Sequence, residues 1–153
     1  MSINSCRGLW LSNFVTTPEH HGPVVKTSRA CRQDGAHDTL TVIRGVADLE
    51  NIVWWHRNLE RAKGFVINGF LNHYPDFIVL TKNKSIVIVE TKGDDRDNSN
   101  SKDKLKLGKL WEANANQLSL ETGYRYHYMM VFDNNRIDGA YTIGEVLKLI
   151  EDL

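Results

Sequence analysis

The chain has 153 residues, 41% hydrophobic and 25% charged, which suits one domain with one core and excludes whole-chain disorder or a collagen-like repeat. Lys plus Arg, 19, balances Asp plus Glu, 19, so no global charge draws it to nucleic acid and any such affinity must come from local patches. Apolar runs such as residues 77–80 fall far short of the ~20 residues of a membrane helix.

Residues 1–37 hold two of the three prolines, the His20-His21 pair and both cysteines, and show no sustained period, so they read as an irregular extension. No basic-then-apolar leader is expected at their start. Cys6 and Cys31 have no CxxC partner, so two reduced thiols in a cytoplasmic protein are expected rather than a zinc site or disulfide framework. Residues 38–153 read as the folded domain. Residues 38–49 predict a short helix with Asp38 as N-cap, weakened by Gly45 and its β-branched residues. Residues 52–57 predict an aromatic strand, and 65–70 another extended stretch. Residues 76–81 and 85–91 predict strands joined by Lys82-Asn83-Lys84, a polar turn of hairpin length. Ser99 or Ser101 would cap a long helix ending near Gly123. Its apolar face would carry Leu107, Leu110, Trp111, Ala115 and Leu118, with Lys102, Lys106 and Lys109 opposite. Residues 126–132 predict a fourth strand, and 142–153 a closing helix with Ile143, Val146, Leu147 and Ile150 inward. The order α-β-β-β-α-β-α implies an α/β fold, a mixed sheet of about four strands flanked by helices.

The hairpin carries the chemistry. With a three-residue loop, the numbers of facing residues sum to 166, which sets Asp76 opposite Glu90. Strand parity places Lys92 on the same face as Glu90. Both faces of the second strand are apolar, so the sheet should be covered on both sides. Two half-buried carboxylates repel unless a cation separates them, and carboxylate oxygens suit Mg²⁺. Lys92 could then hold a water and steady charge developing on a phosphate. A structural network of the same side chains at a strand end is the plainer alternative.

Tyr74-Pro75-Asp76, thirteen residues, then Glu90-Thr91-Lys92 resembles the signature of PD-(D/E)xK nucleases. The surrounding text, Trp54-Trp55-His56-Arg57-Asn58, GFVINGFLNHYPD at 64–76, VETKGDDRDNS at 89–99 and KLKLGKLW at 104–111, is similar to the C-terminal endonuclease domain of the type III restriction enzyme Res subunit. The similarity runs from about residue 52 to 141. It implies a restriction-endonuclease-like core and Mg²⁺-dependent cleavage of DNA. Asp76 and Glu90 would be the metal carboxylates, the Thr91 carbonyl a third ligand and Lys92 the catalytic lysine. It also implies a further acidic ligand from the preceding helix, for which Asp48 and Glu50 are the candidates, and a partner Mod methyltransferase that recognises the target. A complete Res subunit carries a helicase-like ATP-driven motor. This sequence has no GxxxxGK[ST] loop, since Gly108-Lys109 is followed by Leu110 and has Asp103 where the first glycine would stand. The motor would come from another chain or a longer parent.

Among the remaining residues, Lys102, Lys104, Lys106 and Lys109 form the one basic cluster, read either as phosphate contacts or as the wet face of a helix. Arg57, within His56-Arg57-Asn58, could approach the DNA backbone, or the segment could end a strand and bond a loop. His73 reads as a structural histidine. Trp54, Trp55 and Trp111 read as core. Asp94-Asp95-Arg96-Asp97 reads as a solvated loop. Two functional classes remain open: a Mg²⁺-dependent nuclease, and a relic of one that only binds DNA or a partner.

Overall fold

The computed structural model describes residues 37–59, 64–93, 98–133 and 137–153. The irregular extension (apart from His37), both cysteines and the 94–97 charge run lie outside the described residues. Eleven elements follow in order: α1 (His37–Ala47), β1 (Ile52–Arg57), β2 (Ile67–Asn68), β3 (Asn72–His73), β4 (Phe77–Thr81), β5 (Ser85–Lys92), α2 (Asn98–Asn116), α3 (Ser119–Thr122), β6 (Arg125–Phe132), β7 (Tyr141–Thr142) and α4 (Ile143–Glu151). Five strands make one mixed sheet in the order β1-β4-β5-β6-β7, and β2 and β3 form a separate small ladder. Strands β1, β4 and β5 are antiparallel, whereas β5, β6 and β7 run parallel. The main elements follow the expected α-β-β-β-α-β-α order. Strand β2 falls within the expected extended stretch 65–70, whereas β3 and β7 are additions, two-residue strands that leave no sequence signal.

Parity divides the sheet into two apolar faces. Phe77, Val79, Val87, Val89, Met129 and Val131 pack with Val42, Ile43 and Val46 of α1 and with Val146 and Ile150 of α4. Ile78, Ile86, Ile88, Tyr128, Met130 and Phe132 pack with Leu105 and Leu107 of α2. Each fully buried side chain of this size contributes roughly 1.5–3 kcal/mol relative to exposure. The two-sided cover explains why β5 is buried along nearly its whole length.

The hairpin register is the expected one. Phe77 faces Val89, Ile78 faces Ile88, Val79 faces Val87 and Leu80 faces Ile86, each pair summing to 166. The Thr81 carbonyl accepts from Lys84 N at 3.1 Å, and Lys84 takes φ 61°, the left-handed position where glycine is usual. At the closing helix, Thr142 accepts from the Glu145 amide while the Glu145 carboxylate accepts from Thr142 N, a reciprocal cap.

Five local expectations need correction. Helix α1 runs from His37, so Asp38 lies in its first turn and not at the cap. Helix α2 runs from Asn98, so Ser99 and Ser101 lie inside it, and Ser101 is buried. It ends at Asn116, seven residues early. There the Asn116 amide turns to the backbone of Tyr126, accepting from its N at 2.9 Å and donating to its O at 2.7 Å. A short α3 then leads to Gly123 at φ 70°. The buried stripe of α2 is also rotated from the expected one: Leu105 and Gly108 face inward while Leu110 is 53% exposed. Trp54 lies on edge strand β1 and is 38% exposed, so it is not core; Trp55 meets Phe77 edge-on, and Trp111 meets Phe65 and Tyr126.

Candidate active site

The β4–β5 ladder ends at the Phe77–Val89 pair, one residue after Asp76 and two after Pro75, which lacks an N–H. Side chains finish the pairing. Asp76 Oδ2 accepts from Thr91 N and from the Thr91 hydroxyl, both at 2.7 Å. Thr91 Oγ1 also lies 2.9 Å from Thr39 Oγ1, tying the start of α1 to the end of β5. On the other side, the Asp76 carbonyl accepts from Asn58 N at 2.7 Å and the Pro75 carbonyl from Asn58 Nδ2 at 2.9 Å. Asn58 is buried and also pairs with both backbone groups of Phe65. The His56-Arg57-Asn58 segment therefore does end a strand and bond a loop, through Asn58.

Glu90, 2% exposed, is the centre of the site. Its Oε1 accepts from Lys92 Nζ at 2.7 Å and from Lys104 Nζ at 3.1 Å. Its Oε2 lies 4.0 Å from His73 Nε2, which shares a 2.8 Å hydrogen bond with the Tyr128 hydroxyl. Sequence reasoning placed Asp76, Glu90, Thr91 and Lys92 together, and the structure brings all four together at the same end of the sheet.

The electrostatics follow from burial. The Asp76 carboxyl is raised above its usual value by burial and by the neighbouring Glu90 charge, against the opposing Thr91 hydrogen bonds and Lys92. Burial, reinforced by the Lys104 and Lys92 charges, pushes His73 down to about 3, so its contact with Glu90 is not an ion pair near neutral pH. Burial, then Glu90 and Asp76, hold the Tyr128 phenol well above its ordinary value. For Lys104, burial alone would lower the pKa, but Glu90 outweighs it and the ammonium is held raised. Two carboxylates thus face two ammoniums.

Asp48 and Glu50 do not belong to this site. The Thr39 contact sets the beginning of α1 beside Thr91, and nine residues of helical rise, about 13 Å, separate it from Asp48. Residues 48–51 instead adjoin the hairpin turn, where Lys82 N donates to the Asn51 carbonyl. Among the described residues, no three His, Cys, Asp or Glu side chains gather as a metal-holding group. The two carboxylates that do meet here are Asp76 and Glu90, close enough for the Glu90 charge to act on Asp76. Carboxylate oxygens are hard donors, and after burial the neighbouring Glu90 charge is what raises Asp76, a repulsion that a divalent ion relieves. That chemistry fits Mg²⁺.

Lys102 and Lys106 are exposed and line a groove of about 370 Å³ with Leu105, Lys109 and residues 137–139. None of Asp76, Glu90 and Lys92 lines it. Lys109 departs from the expected free face. It donates to Glu112 at 2.9 Å, to the Tyr128 carbonyl at 2.9 Å and to the Tyr141 hydroxyl at 3.4 Å. Arg57 is exposed on β1. Comparison with family models, curated proteins and solved structures finds no match for the chain.

The residue that sequence reasoning missed at the site is Lys104. Grouped with the basic cluster, it in fact extends the stripe of Leu107, Gly108, Trp111 and Ala115 back by one turn. A lysine in line with buried positions was the available signal. Tyr128 had no comparable signal, because its partner His73 lies 55 residues away.

Proposed function

We propose that the chain is a Mg²⁺-dependent DNA nuclease of PD-(D/E)xK type, resembling the endonuclease domain of a type III Res subunit without its motor. The observation carrying this reading is the hairpin-end cluster, in which Asp76, Glu90 and Lys92 meet at one end of β4 and β5 within a sheet covered on both faces. Asp76, Glu90 and the Thr91 carbonyl would hold the metal, which would supply an activated water and neutralise phosphate charge. The protein's own groups do the rest. Thr91 orients Asp76 through two hydrogen bonds, so its Oδ1 is left for a ligand. Lys92 aims an ammonium at the place where negative charge grows on the phosphate. Lys102 and Lys106 present a basic surface that can seat the DNA backbone irrespective of sequence. A Mod-type methyltransferase and a helicase-like motor would then supply target choice and translocation.

The experiment is incubation of the purified chain with plasmid DNA, in Mg²⁺ and in EDTA. Cutting that needs Mg²⁺ and disappears in Asp76→Ala and Glu90→Ala supports the reading; cutting retained by either variant refutes the site. The second reading, a relic that binds without cutting, draws on the two lysines already neutralising Glu90 and on the distance of Asp48 and Glu50. Binding to DNA with no cleavage under any divalent ion would establish it.

A further inference from the structure

Both lysine ammoniums converge on a single oxygen. Lys92 lies 2.7 Å and Lys104 3.1 Å from Glu90 Oε1. A carboxylate oxygen offers about two lone-pair sites, so with both lysines bound Oε1 has none left for a cation. The other oxygen faces His73 Nε2 at 4.0 Å, and that ring is fully buried against Tyr128. A divalent ion reaching Glu90 must therefore displace one ammonium.

The two are not equally displaceable. Lys92 grows from the same strand two residues from Glu90, and its side chain is 11% exposed. Lys104 arrives from α2 across the layer and is 22% exposed, so its long stem has solvent to move into. Charge points the same way. Asp76 and Glu90 against Lys92 and Lys104 leave the cluster neutral, so it has no excess charge with which to attract a phosphodiester. Adding a divalent ion and freeing one ammonium turns it positive.

We infer that Lys104 is a second site lysine: it holds Glu90 while no metal is bound, yields Oε1 when the metal arrives, and then pairs with a non-bridging oxygen of the scissile phosphate. The pairing is electrostatic, and no bond to Lys104 forms or breaks. The inference rests on the nuclease reading, and it separates the two lysines by role: Lys92 keeps its place beside Glu90 and faces the phosphate from there, whereas Lys104 alternates between carboxylate and substrate.

The test uses the full chain as wild type, Lys104→Met, Lys104→Gln and Lys104→Arg, with thermal melts to establish folding. Calorimetry with Mn²⁺ measures metal affinity without DNA, and cleavage with Mg²⁺ measures turnover. Removing the competing charge should tighten Mn²⁺ binding about tenfold in Lys104→Met and Lys104→Gln, the equivalent of one charge-assisted hydrogen bond no longer opposing it. Turnover in the same variants should fall by at least about tenfold, as for loss of a transition-state donor, and Lys104→Arg should restore part of it. Two uncharged variants guard against one failing to fold. Unchanged or weaker Mn²⁺ affinity overturns the inference while wild-type cutting leaves the nuclease reading standing, and so does wild-type turnover in either uncharged variant. A wild type that neither binds Mn²⁺ nor cuts overturns the nuclease reading itself, and this inference with it.

Discussion

Acidification should weaken this fold through histidines that burial holds down, His73 foremost and His127 in the same direction. The His73 ring is fully buried, its Nε2 pairs with Tyr128, and its Nδ1 has no hydrogen-bond partner among the described residues. Burial and two ammoniums hold its pKa at about 3 in the fold against 6.5 for the free side chain. Below 6.5 the unfolded chain therefore takes up a proton that the folded chain refuses, and stability falls as pH falls. The slope is ~1.4 kcal/mol per pH unit, so descending from pH 6.5 to pH 5 costs about 2 kcal/mol through this ring. Only at pH values near the folded pKa does the loss level off. The raised Asp76 carboxyl acts with opposite sign, since its protonation favours the folded state as pH falls. The comparison must therefore be between wild type and His73→Gln, which keeps a polar group near Tyr128 but cannot titrate. Urea unfolding of both at pH 7, 6 and 5 should show the wild type losing about 2 kcal/mol more than the variant across the lower part of the range. Parallel losses in the two proteins would refute the reasoning and mean that His73 is protonated inside the fold.

Four further outcomes are expected. Asp76→Asn should abolish cutting yet stabilise the fold at neutral pH, because the penalty of a raised carboxyl is present above its folded pKa and vanishes as pH falls below its unfolded one; melts and plasmid cleavage read both. Lys92→Met should lose turnover but keep calorimetric Mn²⁺ binding, since an ammonium cannot be a metal ligand and methionine keeps similar volume. Lys102→Ala/Lys106→Ala should weaken binding to all DNA sequences alike and shallow the salt dependence by roughly two units, and an unchanged slope would return both to a solvated helix face. Gly108→Ala gains ~1 kcal/mol of helix propensity but drives a methyl into the Tyr128 ring, so a net destabilisation of about 1–2 kcal/mol is expected by urea unfolding.

How far the sequence carries can be judged from particular residues. The hairpin register was legible because three polar residues between two apolar runs leave one dominant pairing, and strand parity then delivered Lys92 beside Glu90. Periodicity served the closing helix equally well, where Thr142 and Glu145 form a reciprocal cap. It failed at both ends of α2. Packing buries Ser101, and Asn116 leaves its helix to pair with a strand backbone, so tertiary contacts overrode the local capping preference. Asp48 and Glu50 were misplaced because a chain order does not tell which end of a helix meets which end of a strand; the Thr39–Thr91 contact decides it. Lys104 was misread because four lysines in eight residues look like one surface, although one of them lies on the buried stripe.

The outer edge of β6 bears on a different property. Strand β7 pairs only with Val131 and Phe132, leaving the backbone groups of Tyr126 and Tyr128 on that side without a strand neighbour. Asn116 takes both groups of Tyr126, and Lys109 takes the Tyr128 carbonyl. Two helix side chains thus imitate a missing strand, and they block the docking of a second sheet along this edge. Lys109 and Asn116 consequently guard against self-association: substituting them would make the protein sticky at high concentration before it altered any chemistry at Glu90.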